Sequence, residues 1–182
     1  MIYAEVGQHP DETFDIVDSQ DRVIGSALRG EIHRRGLLHR AIHIFWLRND
    51  GSMCLQRRSF AKDNCPGLLS SSCAGHVDSG EDYLTAALRE MHEELGIRLP
   101  SSALTEIDYA PHHPDLGNEF VRSYLLKGDF AVLLAEFEVD SLLWRSPREV
   151  DAWIANLDSS FAKPFVHLMA RSAIRSALGI AA

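Results

Sequence analysis

Glu90, Glu93 and Glu94 crowd into little more than one helical turn, and Arg89 stands directly before them. Upstream the spacing reads Gly75, five residues, Glu81, seven residues, then Arg89-Glu90-Met91-His92-Glu93-Glu94-Leu95-Gly96-Ile97. Carboxylates this close repel one another, and near a helix C-terminus they also oppose the macrodipole. The arrangement is unfavourable unless cations neutralise it, and hard oxygen ligands suit Mg²⁺ or Mn²⁺. Arg89 can pair with Glu93 at i, i+4 and hold it in place. A solvated acidic face is more often interleaved with lysines, and residues 79–96 contain none. Metal binding is therefore the expected chemistry.

These carboxylates need a helix to carry them. Ser79 is the expected N-cap, with Asp82 three residues on, and Gly96 is the expected stop. At about 100° per residue, Leu84, Ala87, Leu88, Met91 and Leu95 fall on one stripe, which should be buried. Glu90 and Glu94 lie beside that stripe and Glu93 one step farther round. Elsewhere, 13–17 and 22–28 flank a turn-prone Asp18–Asp21 and read as a short hairpin. A second hairpin is expected from 41–48 and 53–57 around Asn49-Asp50-Gly51. Further strands are expected near 71–76, 104–110, 119–126 and 135–139. Ser146-Pro147-Arg148-Glu149 is a capping box opening a helix to about Leu157. A final amphipathic helix is expected from about Lys163 to Leu178, stopped by Gly179.

With 182 residues and 46% hydrophobic content, the chain can bury one substantial core, and a single domain over 1–182 is the expectation. A formal charge of −8 argues against binding a nucleic-acid polymer through a basic face. No basic segment followed by an apolar core opens the sequence, and no apolar run is long enough to span a membrane. Cys54, Cys65 and Cys73 are odd in number and lack metal-type spacing, which fits reduced thiols in a cytoplasmic protein.

The stretch from Gly75 to Ile97 matches the Nudix box, G-x5-E-x7-R-E-U-x-E-E-x-G-U with U apolar, at every specified position. Such a match arises by chance on the order of once in ten million chains of this length, so coincidence is set aside. The chain resembles the Nudix family. That resemblance implies the Nudix fold, an α/β/α sandwich around a mixed β-sheet, with the box at 75–97 and an N-terminal hairpin and extension over 1–36. Asp15-Ile16-Val17-Asp18, Arg22-Val23-Ile24-Gly25, Gly36–Ala41, Leu55–Arg58, Lys62 with Pro66-Gly67, and Asn118-Glu119-Phe120 resemble the isopentenyl-diphosphate isomerase branch. That branch contains isomerases and isomerase-like hydrolases. The isomerases use a cysteine immediately before the glycine of the box, a second acid, and a metal site partly made of histidines. Here Ala74 holds the cysteine position, with Cys73 one residue early. Gly117 stands where a second glutamate would precede Glu119, Phe165 stands near an expected tryptophan, and the box is intact. These departures favour a hydrolase over an isomerase; a phosphate-binding protein without turnover is the other alternative.

As the resemblance implies, Glu90, Glu93, Glu94 and the Gly75 carbonyl are the expected ligands of Mg²⁺ or Mn²⁺, and Arg89 orients the carboxylates. Either Glu90 or Glu119 accepts the proton of the attacking water. Glu81 should stabilise the loop–helix geometry. Arg58 and Lys62 match basic residues that contact diphosphate, and His76 could reach a phosphate. Arg57 reads as structural. His39 and His43 read as packing or hydrogen bonding, His112-His113 as a loop pair, and Trp46, Trp144 and Trp153 as core or interface. The expected partner is a small-molecule diphosphate linked to a moiety X that the sequence leaves open, with a homodimer as candidate assembly.

Overall fold

The computed structural model describes residues 11–156 and 159–181. Residues 1–10 of the N-terminal extension and the expected helix end at Leu157 lie outside the described residues, as does Ala182. In chain order the strands and α-helices are β1 (Thr13–Val17), β2 (Val23–Leu28), α1 (Arg29–Arg35), β3 (His39–Leu47), β4 (Met53–Arg58), β5 (Leu69–Ser70), β6 (Cys73–His76), α2 (Tyr83–Leu95), β7 (Leu104–His113), β8 (Glu119–Lys127), β9 (Val139–Arg145), α3 (Pro147–Ala155), α4 (Lys163–Met169) and α5 (Ser172–Ala177).

β3 organises the molecule because its side chains alternate between two cores. Ala41 and Phe45 enter an apolar cluster with Phe161, Phe165, Leu168 and Ile174 from the C-terminal helical region. Ile42, Ile44 and Trp46 enter the cluster packed by Ala87, Met91 and Leu95 of α2. A mixed sheet with helices on both faces is the α/β/α sandwich that was expected. β3 runs parallel to β8 from His39↔Glu119 onward. On its other edge β3 meets β4 at Leu47↔Met53 and β6 over Ala41–Ile44. β4 and β6 therefore splay apart, and the chain from β5 to β6 bridges them. Ser72 Oγ sits in the wedge, accepting the Trp46 amide at 2.8 Å and donating to the Cys54 carbonyl at 2.8 Å. The cleft opens where the two strands diverge.

Several boundaries depart from expectation. α2 is capped by Asp82, which accepts the Thr85 amide at 2.9 Å. Ser79 instead donates to Asp15 of β1, so a contact with the N-terminal hairpin takes the residue that local spacing assigned to the cap. Leu84 and Leu88 are only partly buried, and Tyr83 and Ala86 complete the buried face. The strand expected at 135–139 begins only at Val139, because 136–138 form a turn. The expected helix 163–178 breaks between α4 and α5, where Arg171 leaves helical geometry and pairs with Asp108 of β7. α1 was not anticipated: it is a short helix without a side-chain N-cap, buried through Ile32 alone.

Candidate functional site

Arg89 is the hub of the cleft. Its Nε donates to Glu81 Oε1 at 3.1 Å, and its Nη2 donates to Glu81 Oε2 at 2.9 Å and to the His76 carbonyl at 3.0 Å. Its Nη1 donates to Glu90 at 2.8 Å and Glu93 at 3.0 Å. Burial opposes the charge on this guanidinium, yet Glu81 and Glu90 hold it firmly ionised. Glu81 also accepts the Asp78 amide at 3.2 Å, so it braces the loop as expected.

Glu90 packs against Gly75, where a β-carbon would lie 2.1 Å from its carboxyl, so no other residue fits there without a shift. Burial, reinforced by the charge of Glu94, pushes the Glu90 carboxyl above its ordinary range. Glu94 is buried and accepts the Gln56 amide at 2.9 Å. The Gln56 Oε1 beside it is buried without a hydrogen-bond partner. Such crowded, incompletely neutralised oxygens fit a hard divalent cation. Glu90, Glu93 and Glu94 line a cleft of about 860 Å³ together with Gly75, His76, Arg58 and Lys62.

A second cluster, unforeseen in this form, lies on the opposite side of β6. The parallel register sets His39 beside Glu119, and the antiparallel register sets His76 across from Ala41. His33 reaches the same point from α1. Ligand nitrogens of His33, His39 and His76 lie within 4.8 Å of one another. His76 Nε2 is 3.2 Å from Glu119 Oε1 and His39 Nε2 is 3.5 Å from it. His33 Nε2 and His39 Nε2 are buried without a hydrogen bond, and a cation would satisfy them. Burial, with His76 and His39 nearby, pushes His33 down to about 4, so it stays neutral, as a ligand must. Burial works against ionising Glu119, but the two imidazoles hold its carboxyl well below the usual range. Phe14 of β1 covers the cluster, its ring 4.5 Å from that of His76. His39 bonds the Leu37 carbonyl through Nδ1 at 2.9 Å, in line with the hydrogen bonding expected of it, and its other nitrogen joins this cluster. His33 carried no motif, and the histidine-rich metal site of the isomerase branch was the one signal that pointed toward it.

The other candidates separate clearly. Arg58 lines the cleft and donates to the Asn64 carbonyl at 3.0 Å. Lys62 is also on the wall, but its ammonium is paired with Glu138, a partner remote in sequence. Arg57 turns away to the Gly67 carbonyl at 2.8 Å, in line with a structural role. His43 is buried and bonds Ser71 at 2.7 Å. Trp46 and Trp144 pack edge-to-face, and Trp153 packs on Phe161, none lining the cleft. Cys73 is buried in the α2-side core, whereas Ala74 faces the cleft. Phe165 is buried against Phe45 and Phe161.

Comparison with known proteins agrees with this geometry. A family model described as the NUDIX domain matches residues 37–168. The chain is 32% identical over 160 residues to an isopentenyl-diphosphate Delta-isomerase of Serratia proteamaculans, covering 81% of this chain and 89% of that one. It is 35% identical over 148 residues to an uncharacterised Nudix hydrolase of Yersinia pestis, covering 78% and 76%. The crystal structure of DR0079 from Deinococcus radiodurans superposes with a TM-score of 0.74 at 27% identity, covering 88% of this chain and all of that one.

Proposed function

The chain belongs to the Nudix family, and from that premise we propose that it is a hydrolase of a diphosphate linkage, acting on a nucleoside diphosphate derivative or a related X-diphosphate with Mg²⁺ or Mn²⁺. The observation that carries this is the meeting of carboxylates and cations in one cleft. Glu90, Glu93, Glu94 and Gly75 line it together with Arg58 and Lys62. The carboxylates and the Gly75 carbonyl would hold the metal, which when bound neutralises phosphate oxygens and acidifies water. Arg58 offers a planar guanidinium to the diphosphate, and Lys62 a point charge once it exchanges Glu138 for substrate. Arg89 fixes the carboxylate wall without touching the reacting atoms. Glu90 accepts the proton of the attacking water: Arg89 engages one of its oxygens, whereas Glu119 is committed to two imidazoles. The unpaired cysteines are consistent with a cytoplasmic setting. The test is phosphate release from a panel of nucleoside diphosphates, nucleotide sugars, dinucleotides and prenyl diphosphates with each metal. Turnover of none, or turnover undiminished in Glu90→Gln, rejects the assignment.

A second reading, isopentenyl-diphosphate isomerisation, is favoured by one observation: the His33, His39, His76 and Glu119 cluster. Moving a double bond also requires an acid and a base at carbon. Ala74 and Gly117 offer neither, and burial beside Glu94 raises the Cys73 thiol well above its ordinary range. Hydrolysis remains the better fit.

A further inference from the structure

A third set of metal-type ligands lies outside the cleft, at the far end of β7. His113 ends β7, Asp115 sits in the short 3-10 turn Pro114–Leu116, and His167 projects from α4. One ligand atom from each lies within 4.8 Å of the other two. The Asp115 carboxylate faces both rings, 3.5 Å from His113 Nδ1 and 3.9 Å from His167 Nδ1. The ring centroids are 4.4 Å apart and tilted by 31°, an arrangement that would be repulsive were both rings protonated. Among the described residues, this and the cleft histidines are the two groupings of that kind.

We propose that His113, Asp115 and His167 form a binding site for a borderline divalent cation such as Zn²⁺, separate from the box metal. Two imidazoles and one carboxylate are a recurrent zinc donor set, and the exposed rim leaves a position for water. The three come from separate elements already held in place. Leu116 is buried beneath the turn, and Arg171, which follows α4, pairs with Asp108 and donates to the Tyr109 carbonyl at 3.1 Å. At present His113 Nδ1 accepts the Asp115 amide at 3.1 Å, so an ion taken at that nitrogen replaces the bond.

The site's position gives it a consequence. The turn runs through Gly117 and Asn118, both at positive φ (74° and 65°), directly into Glu119, and His113 is the register partner of Glu119 across β7 and β8. A cation here would tie α4 to the turn that presents Glu119 to the cleft histidines.

The experiment is zinc titration of the full chain by chelator competition, with excess Mg²⁺ present to occupy the oxygen-rich site. Wild type is compared with His167→Ala, His167→Gln, Asp115→Asn and, to mark the inner cluster, His33→Ala. The expected result is that the His167 and Asp115 variants each lose one zinc equivalent, or bind it about 100-fold more weakly, while His33→Ala keeps it. Zinc should also slow amide exchange across 115–119 in wild type and His33→Ala but not in His167→Gln. Asp115 is exposed and His167 partly so, and metal-free melting curves of their variants that overlay wild type separate ligand loss from misfolding. Unchanged zinc stoichiometry and affinity in His167→Gln and Asp115→Asn would overturn the site. So would outer binding in wild type weaker than about 0.1 mM, the behaviour of an unorganised histidine pair.

Discussion

Arg89 and Gln56 determine how the carboxylate wall is aimed. Gln56 donates to Glu94 from a fully buried position, so Gln56→Leu should raise the Mg²⁺ concentration needed for half-maximal rate by roughly 10–100-fold, the usual effect of a group that orients a ligand. A metal requirement unchanged from wild type would return Gln56 to plain core packing. In the same cleft, Arg58→Ala should raise KM by about 10–100-fold, corresponding to ~1.5–3 kcal/mol of charge-assisted binding, while Glu90→Gln should instead collapse kcat. Lys62 behaves differently because Glu138 already holds it. Glu138→Gln should therefore lower KM by freeing the ammonium for substrate, whereas Lys62→Ala should raise it. Steady-state kinetics on the substrate found in the panel decides all four. A Glu138→Gln KM above that of wild type would mean that the ion pair positions Lys62 rather than competing for it.

At the scale of elements, the legible parts were those written in local signals. The capping box at Ser146–Glu149, the Asn49-Asp50-Gly51 hairpin and the αL stop at Gly96 were of this kind. What escaped depended on partners remote in sequence. Ser79 lost the cap to Asp82 because Asp15 claims its hydroxyl, and the last helix broke where Arg171 finds Asp108. The histidine cluster escaped because it is assembled by strand register. His39 meets Glu119 only once β3 and β8 run parallel, a pairing no local pattern encodes. The same buried strand makes a pH prediction. Burial pushes His43 down to about 4, although Glu119 nearby pulls the other way, with Arg58, His76 and the Ser71 hydroxyl as its remaining neighbours. The unfolded chain takes up a proton near pH 6.5 that the folded chain refuses until about pH 4. Stability is thus fully present above pH 6.5 and falls as pH drops through that window, by on the order of 3 kcal/mol for this group. Urea midpoints of metal-free wild type and His43→Gln at pH 7 and pH 4.5 isolate the contribution, since other titrating groups are common to both. Equal losses in the two proteins would show that His43 is protonated in the fold.

For the whole molecule, the question is why a chain with an intact carboxylate box also keeps a histidine cluster on the other side of β6. The two sites share that strand: Gly75 packs on Glu90, while its neighbour His76 bonds Glu119. Of the histidine cluster, His76 alone lines the carboxylate cleft, so it is the point at which the two sites meet. If hydrolysis is the chemistry, the box is indispensable and the histidines are supporting. Glu93→Gln and Glu94→Gln should blunt the rise in thermal midpoint produced by millimolar Mg²⁺ and remove turnover, while His33→Ala should retain measurable turnover. Cys73→Ser should leave hydrolysis nearly intact, because that thiol is buried in the α2-side core, where burial beside Glu94 keeps it protonated and hydrolysis needs no thiol. If isomerisation is the chemistry, the ranking inverts. His33→Ala would then be inactive, box variants would survive, and isopentenyl diphosphate would yield dimethylallyl diphosphate at an enzyme-dependent rate. The expected result is no such isomer from the wild-type protein, since Ala74 and Gly117 hold no side-chain acid or base to protonate the alkene carbon or take the proton from its neighbour. Its appearance, tracked by NMR of the vinyl protons, would transfer the catalytic role from the carboxylate wall to the histidine cluster.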